Sequence, residues 1–275
     1  MSVIAPRAVD HSSTTRSCAR FPAATLWLTC VSCLLTTAGG DLAAQPPPQI
    51  SRLAPLGVQP GTTVDVAVTG SNLQQASRLW TTFGESTERV DDAVNDKSAT
   101  FRLQVSADVS PGVYAGRLET PGGATPQRLI LVDDLPSVAE AGGNGSPESA
   151  QPVPASAGID AQVDNLARDF YRVTVAAGQR LSFEVLARRI GSKLDPVLIV
   201  YNAAGDRIAT VDDTPGLGGD CQLDQTFAEA GDYLIEVRDI RYAGGGEYFY
   251  RLRIGDFPCG AGVAAGRGPG DDDPT

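Results

Sequence analysis

The chain has 275 residues, of which 22 are Lys or Arg, 33 are Asp or Glu and one is His, giving a net charge of −11 at neutral pH. That balance disfavours nucleic acid, because binding there rests on clustered Lys and Arg neutralising phosphates. A single histidine, His11, also argues against Ser-His and Cys-His pairs and the commonest zinc and copper sites.

Residues 1–44 read as a signal peptide. Arg7, Arg16 and Arg20 form a positive start, Phe21 to Ala38 is apolar and uncharged, and Leu42-Ala43-Ala44 offers small residues to a peptidase. The apolar run is short for a bilayer and passes into Gly39, Gly40 and QPPPQ, so cleavage is expected rather than anchoring. The expected location is therefore secreted, periplasmic or cell envelope, with no membrane attachment after cleavage. Cleavage would remove His11, three basic and two acidic residues, leaving 19 basic against 31 acidic.

Residues 50–134 contain short alternating runs separated by turn residues: TTVDVAVTG, RLWTTFG, ATFRLQVS, GVYAGRLET and PQRLILVDD. Val64, Val66 and Val68 share one face, as a half-buried strand requires. This is the size and punctuation of one immunoglobulin-like sandwich. The stretch PQISRLAPLGVQPGTTVDVAVTGSNL resembles the opening of the IPT/TIG immunoglobulin-like domains. That likeness implies a spacer or interaction module without chemistry of its own.

Residues 135–158, LPSVAEAGGNGSPESAQPVPASAG, carry few large apolar side chains and read as a flexible linker, so two independently unfolding domains are expected. Residues 159–256 alternate more strongly. Leu181, Phe183 and Val185 share a face, as do Tyr233, Ile235 and Val237, and Tyr248, Tyr250, Leu252 and Ile254. The fold class is all-β, with two β-sandwiches. Cys221 and Cys259 are a candidate disulfide in an exported chain, with two free thiols the equal alternative. Residues 257–275 read as a disordered tail.

The second half resembles bacterial pre-peptidase C-terminal domains. The likeness rests on Asp169-Phe170-Tyr171, AAGQ at 176–179, GSKLDPVLIVYNAAGDRIATVDD, EAGDYLIEVRD at 229–239 and GGGEYFYRLRIGD. It implies a jelly-roll-like sandwich appended to secreted enzymes and surface proteins, usually without catalysis. Related collagen-binding domains hold matrix and bind calcium, and Glu140, Asn144, Asp164 and Asp169 are the nearest matches to their ligands. No cofactor is required, and calcium is the one ion implied. Gly142, Gly143 and Gly145 stand where relatives often carry acidic or amide residues.

Other candidates weigh less. Asp213-Thr214 is followed by proline rather than the glycine of an aspartic protease, and no second copy exists. A glycosidase pair drawn from Asp212, Asp213, Asp220 or Asp224 would need a separation of about 5–10 Å across a cleft. Tyr248 and Tyr250 are in phase with the core, leaving Tyr242 and Phe249 as candidates for a sugar- or protein-binding surface. The expected function is a secreted, non-catalytic accessory or binding module, a spacer and targeting unit, with no catalytic residues. The alternatives are a β-sandwich hydrolase using paired carboxylates and an adhesin that binds an extracellular protein or polysaccharide.

Overall fold

A computed structural model describes residues 46–83, 88–90, 95–121 and 123–258. The signal peptide expected at 1–44 lies outside the described residues, as does the expected tail from Cys259 onward. Among the described residues, no helix is long and apolar enough to cross a membrane.

The first sandwich comprises β1 (Gln49–Ala54), β2 (Gly57–Val58), β3 (Thr63–Ser71), β4 (Arg78–Thr81), β5 (Glu88–Arg89), β6 (Ser98–Gln104), β7 (Gly112–Thr120), β8 (Gly123–Ala124) and β9 (Arg128–Val132). One sheet has the order β1-β3-β6-β5 and the other β2-β9-β7-β4, with β8 paired to β7. The period-2 pattern determines what goes inside. Val66 and Val68 are fully buried while Asp65 and Ala67 on the same strand are exposed. Phe101, Leu103, Tyr114, Leu118 and Ile130 complete this core.

The second sandwich comprises β10 (Ser137–Ala139), β11 (Gln151–Pro152), β12 (Ala157–Gln162), β13 (Asp169–Val175), β14 (Arg180–Leu186), β15 (Pro196–Tyr201), β16 (Arg207–Val211), β17 (Cys221–Thr226), β18 (Gly231–Asp239) and β19 (Phe249–Gly255). Its sheets run β10-β12-β19-β14-β17 and β11-β13-β18-β15-β16. Leu181, Phe183 and Val185 face Tyr233, Ile235 and Val237 in one core with Tyr250, Leu252 and Ile254. β15 and β16 form the hairpin expected around AAGD, with Leu198 opposite Val211.

Residues 135–158 are not a flexible linker. β10 pairs in parallel with β12, and β11 with β13, so this segment supplies an edge strand to each sheet of the second sandwich. Leu135, Ala150, Val153 and Ala157 are buried. The composition argument failed because the segment needs no core of its own. It borrows two existing sheet edges, which satisfy its backbone and are themselves covered in return.

The two sandwiches lie in a single compact unit, and the seam between them is charged. β14 is buried along both faces, Leu181, Phe183 and Val185 inward and Ser182 and Glu184 outward. On β19, Arg251 is fully buried and Arg253 is 6 % exposed. Arg251 Nε donates to Asp133 Oδ2 at 2.7 Å and its Nη1 to Asp160 Oδ1 at 2.6 Å. Arg253 Nε reaches Asp133 Oδ1 at 3.1 Å, and its Nη1 donates to Glu184 Oε2. The network continues through Arg189, which bonds both Glu184 and Asp220. Gly57 and Gly158 flank the Arg251 guanidinium so closely that a Cβ on either would stand 2.5 or 2.1 Å from it.

Candidate functional site

Three pieces of chain converge at one end of the second sandwich: residues 140–145, the turn after β12 and the start of β13. Gly142 and Gly143 have φ of +69° and +72°, a left-handed bend that glycine adopts at little cost. The bend turns Asn144 inward, where it is 3 % exposed. Its carbonyl oxygen accepts from Phe170 N at 2.8 Å, tying the segment to β13. Together they enclose a pocket of about 410 Å³ lined by Glu140, Asn144, Asp164 and Asp169, with Arg52 and Arg168 also on its wall. All four residues selected from the sequence as ion ligands therefore share one cavity.

Two of the carboxylates are joined through the core. Tyr171 Oη donates to Glu140 Oε1 at 3.0 Å, lies 2.7 Å from Tyr250 Oη, and Tyr250 Oη donates to Asp169 Oδ2 at 2.8 Å. Asn144 Nδ2 donates to Glu140 Oε1 at 3.4 Å. Burial pushes the Asp169 carboxyl up to about 7, with Glu140 and Asp164 adding repulsion and the Tyr250 hydrogen bond opposing them. An acid raised in the folded state is most stabilising while protonated. Without a bound cation, this contribution is present below the ordinary value of 3.8 and is lost as pH rises to about 7. Urea midpoints measured between pH 5 and 8 should fall with rising pH, and Asp169→Asn should flatten that slope.

The donor chemistry suits a hard cation. Carboxylates, an amide oxygen and glycine carbonyls are what calcium takes, at six to eight oxygens, and like-charged carboxylates raise each other's proton affinity until a cation joins them. The spacing is less complete. Among the described residues, no three carboxylates are grouped tightly enough to hold a metal ion as they stand.

The remaining candidates are spread elsewhere. Asp212 and Asp213 lie exposed in the turn after β16, where Asp212 Oδ1 accepts from Asp213 N at 2.8 Å. Asp220 is fully buried and accepts from the backbone of Ala187 and Arg188 and from Arg189 Nε. Asp224 accepts from Ser182 Oγ at 2.6 Å and pairs with Arg180. The hydrolase candidates are thus one polar turn, one buried structural anchor and one surface pair. Cys221 is buried in the core, and Cys259, its candidate disulfide partner, lies outside the described residues. β17 needs an apolar side chain at that inward position, and burial pushes the thiol well up, which keeps it unreactive.

Tyr242 is 38 % exposed, at φ +58°, with the Arg238 guanidinium 4.6 Å from its ring centre. Phe249 is half-buried at the start of β19, opposite Gln162. What sequence reading missed is Arg52 and the tyrosine pair. Tyr250 reads as core and Tyr171 as part of the Asp-aromatic-aromatic motif; both are fully buried, and only the registers of β13 and β19 bring their hydroxyls together.

No family model matches the chain, and no characterised protein matches it in sequence. Among solved structures, the pre-peptidase C-terminal domain of a collagenase from Bacillus anthracis is similar at 18 % identity and a TM-score of 0.33, over 40 % of this chain and 99 % of that one. The periplasmic g-type lysozyme inhibitor PliG of Aeromonas hydrophila is similar at 19 % identity and a TM-score of 0.29, over 42 % and 92 %. A Bacteroides ovatus protein of a mixed-linkage glucan utilization locus, solved with a heptasaccharide, is similar at 12 % identity and a TM-score of 0.27, over 77 % and 75 %. At such values none of the three bears on what this chain binds.

Proposed function

We propose that the chain is a non-catalytic accessory module of an exported protein, whose second sandwich is of the pre-peptidase C-terminal type and binds calcium. The observation that carries this reading is the convergence of Glu140, Asn144, Asp164 and Asp169 on one pocket. An ion there would tie residues 140–145 to β13 and to the turn after β12, bracing the edge of the sandwich that a partner would meet. The partner class is an extracellular protein or polysaccharide, and Tyr242, held by Arg238, is the surface aromatic best placed to meet it. Neither an acid–base pair nor an activated nucleophile is part of this reading, since Asp212, Asp213, Asp220 and Asp224 are divided among turn, anchor and surface roles.

Calcium at ten times its dissociation constant should stabilise the chain by about 1.4 kcal/mol, because an ion that binds only the folded state stabilises by RT ln(1 + L/Kd), where L is the free ion concentration. Magnesium, smaller and slower to shed water, should do less. An unchanged melting temperature in millimolar calcium, or a response that survives intact in Asp169→Ala, sinks the reading. Turnover of a peptide or glycoside that disappears in Asp212→Asn or Asp213→Asn would instead favour the hydrolase.

A further inference from the structure

We infer that Arg52, a residue of the first sandwich, sets the cation affinity of this pocket by standing in its wall as a fixed internal positive charge. The inference rests on the calcium reading above. β1 is an edge strand, and its pairing with β3 slips between Ile50 and Arg52: Ile50 faces Gly70, yet Arg52 already faces Thr69. A bulge of this kind re-aims the following side chain. Gly70 makes it possible, because a Cβ there would stand 1.9 Å from Gln49 O. The chain just beyond is then fixed to the second sandwich, where Leu56 N donates to Asp160 Oδ2 at 2.8 Å.

Thus aimed, Arg52 reaches the wall of a pocket whose other charged side chains include Glu140, Asp164 and Asp169. Its Nη1 donates to Gln162 Oε1 at 3.3 Å, while its Nε is buried with no acceptor. Gln162 N donates in turn to Glu140 Oε2 at 3.4 Å, so the guanidinium is one residue removed from a candidate ligand. Across the pocket, the Asn144 side chain is 3 % exposed and, among the described residues, makes a hydrogen bond only through its Nδ2, so its amide oxygen is available to a cation. Arg168, the other guanidinium on the wall, lies over Phe170 with its Nη1 3.9 Å from Glu236 Oε2. Arg52 has no carboxylate partner among the described residues, so of the two guanidiniums on the wall it is the uncompensated positive charge. A unit charge on the order of 8 Å from a divalent ion weakens its binding about fivefold even in a dielectric of about 80. The site is accordingly composite: one sandwich supplies the ligands and the other supplies the charge that tempers them.

Calorimetric titration of the full chain with calcium chloride tests this, using the wild type, Arg52→Gln, Arg52→Met and Arg52→Lys. Both neutral variants should bind about fivefold more tightly, and Arg52→Lys should stay near wild type, which a loss of packing alone would not produce. Two neutral side chains guard against one of them failing to fold. Saturable wild-type binding that neither neutral variant tightens overturns the role of Arg52 and leaves the calcium reading standing. Binding by the neutral variants alone supports Arg52 and removes calcium from the wild-type function. No binding by any form overturns both.

Discussion

Arg251→Ala should lower the stability of the whole chain by about 3–5 kcal/mol and split one unfolding transition into two. Removing one partner of a buried ion pair costs that much because the other charge stays desolvated and unpaired. Here the remaining groups are Asp133, 1 % exposed, and Asp160, each of which accepts a short hydrogen bond from Arg251. Leu135 O and Ser137 Oγ accept from it as well. Because Asp133 ends the first sandwich and Asp160 belongs to the second, the same side chain joins both bodies. One cooperative unfolding unit is therefore expected in place of the independent unfolding that a Gly/Pro/Ser linker implies. Calorimetry of the wild type should give matching van't Hoff and calorimetric enthalpies. An exposed pair sets the control. Asp65 and Arg102 are 2.9 Å apart with side chains 47 % and 54 % exposed, so Arg102→Ala should cost far less than Arg251→Ala. Two wild-type transitions, or equal effects of the two substitutions, would show that the seam does not couple the sandwiches.

Acid should attack the same place. Burial alone would raise the Asp133 carboxyl, but Arg251 and Arg253 more than offset it and hold it below its ordinary 3.8. A depressed acid stabilises the fold above its unfolded value, and that stabilisation disappears as pH falls through the folded one. The seam is therefore expected to fail at low pH, in the direction opposite to the Asp169 contribution.

The legibility of this fold in its sequence follows from which face of each strand meets water. Where one face is wet, as on β3, the alternation of Val66 and Val68 with Asp65 and Ala67 names both faces at once. Where both faces are dry, the pattern misleads. Arg251 and Arg253 alternate with Tyr250, Leu252 and Ile254 as a solvent face would, yet they are buried beneath the first sandwich. Two aspartates at 133 and 134, two arginines on the last strand and Glu184 between Phe183 and Val185 were complementary charges in plain view. Nothing local says that they meet: Arg253 and Glu184, 69 residues apart, are brought together by the register of β14 on β19, and the arginines and Asp133 and Asp134, 118 to 120 residues apart, by the packing of one sandwich on the other. The pocket was legible for a different reason. Its four ligand candidates follow from a resemblance spread over the whole second half, while Arg52 belongs to the other sandwich and is aimed by a bulge that no residue type announces.

Gly244→Ala should cost about 3 kcal/mol and remove most of the calcium response, although residue 244 touches no candidate ligand side chain. The loop between β18 and β19 lies flat on the turn after β12. Leu166 N donates to Tyr242 O and Gly245 N to Val163 O, each at 2.9 Å. Between those bonds a Cβ at 244 would stand 2.1 Å from the carbonyl carbon of Asp164, 2.2 Å from its oxygen and 2.4 Å from Asn165 N. Backbone meets backbone there, so no side-chain rotation relieves the clash. Overpacking of this kind costs about 1–3 kcal/mol, and the upper end applies where neither side gives way by a rotamer change. The two loops must part, which lengthens both hydrogen bonds and carries the Asp164 carboxylate away from Asp169. Gly246 lies two residues on in the same loop, with nothing within 4 Å of its Cβ position. Gly246→Ala should therefore leave both stability and the calcium response close to wild type. If the two alanine variants melt together and respond alike to calcium, the loop contact does not position Asp164, and the 163–168 turn holds its shape without it.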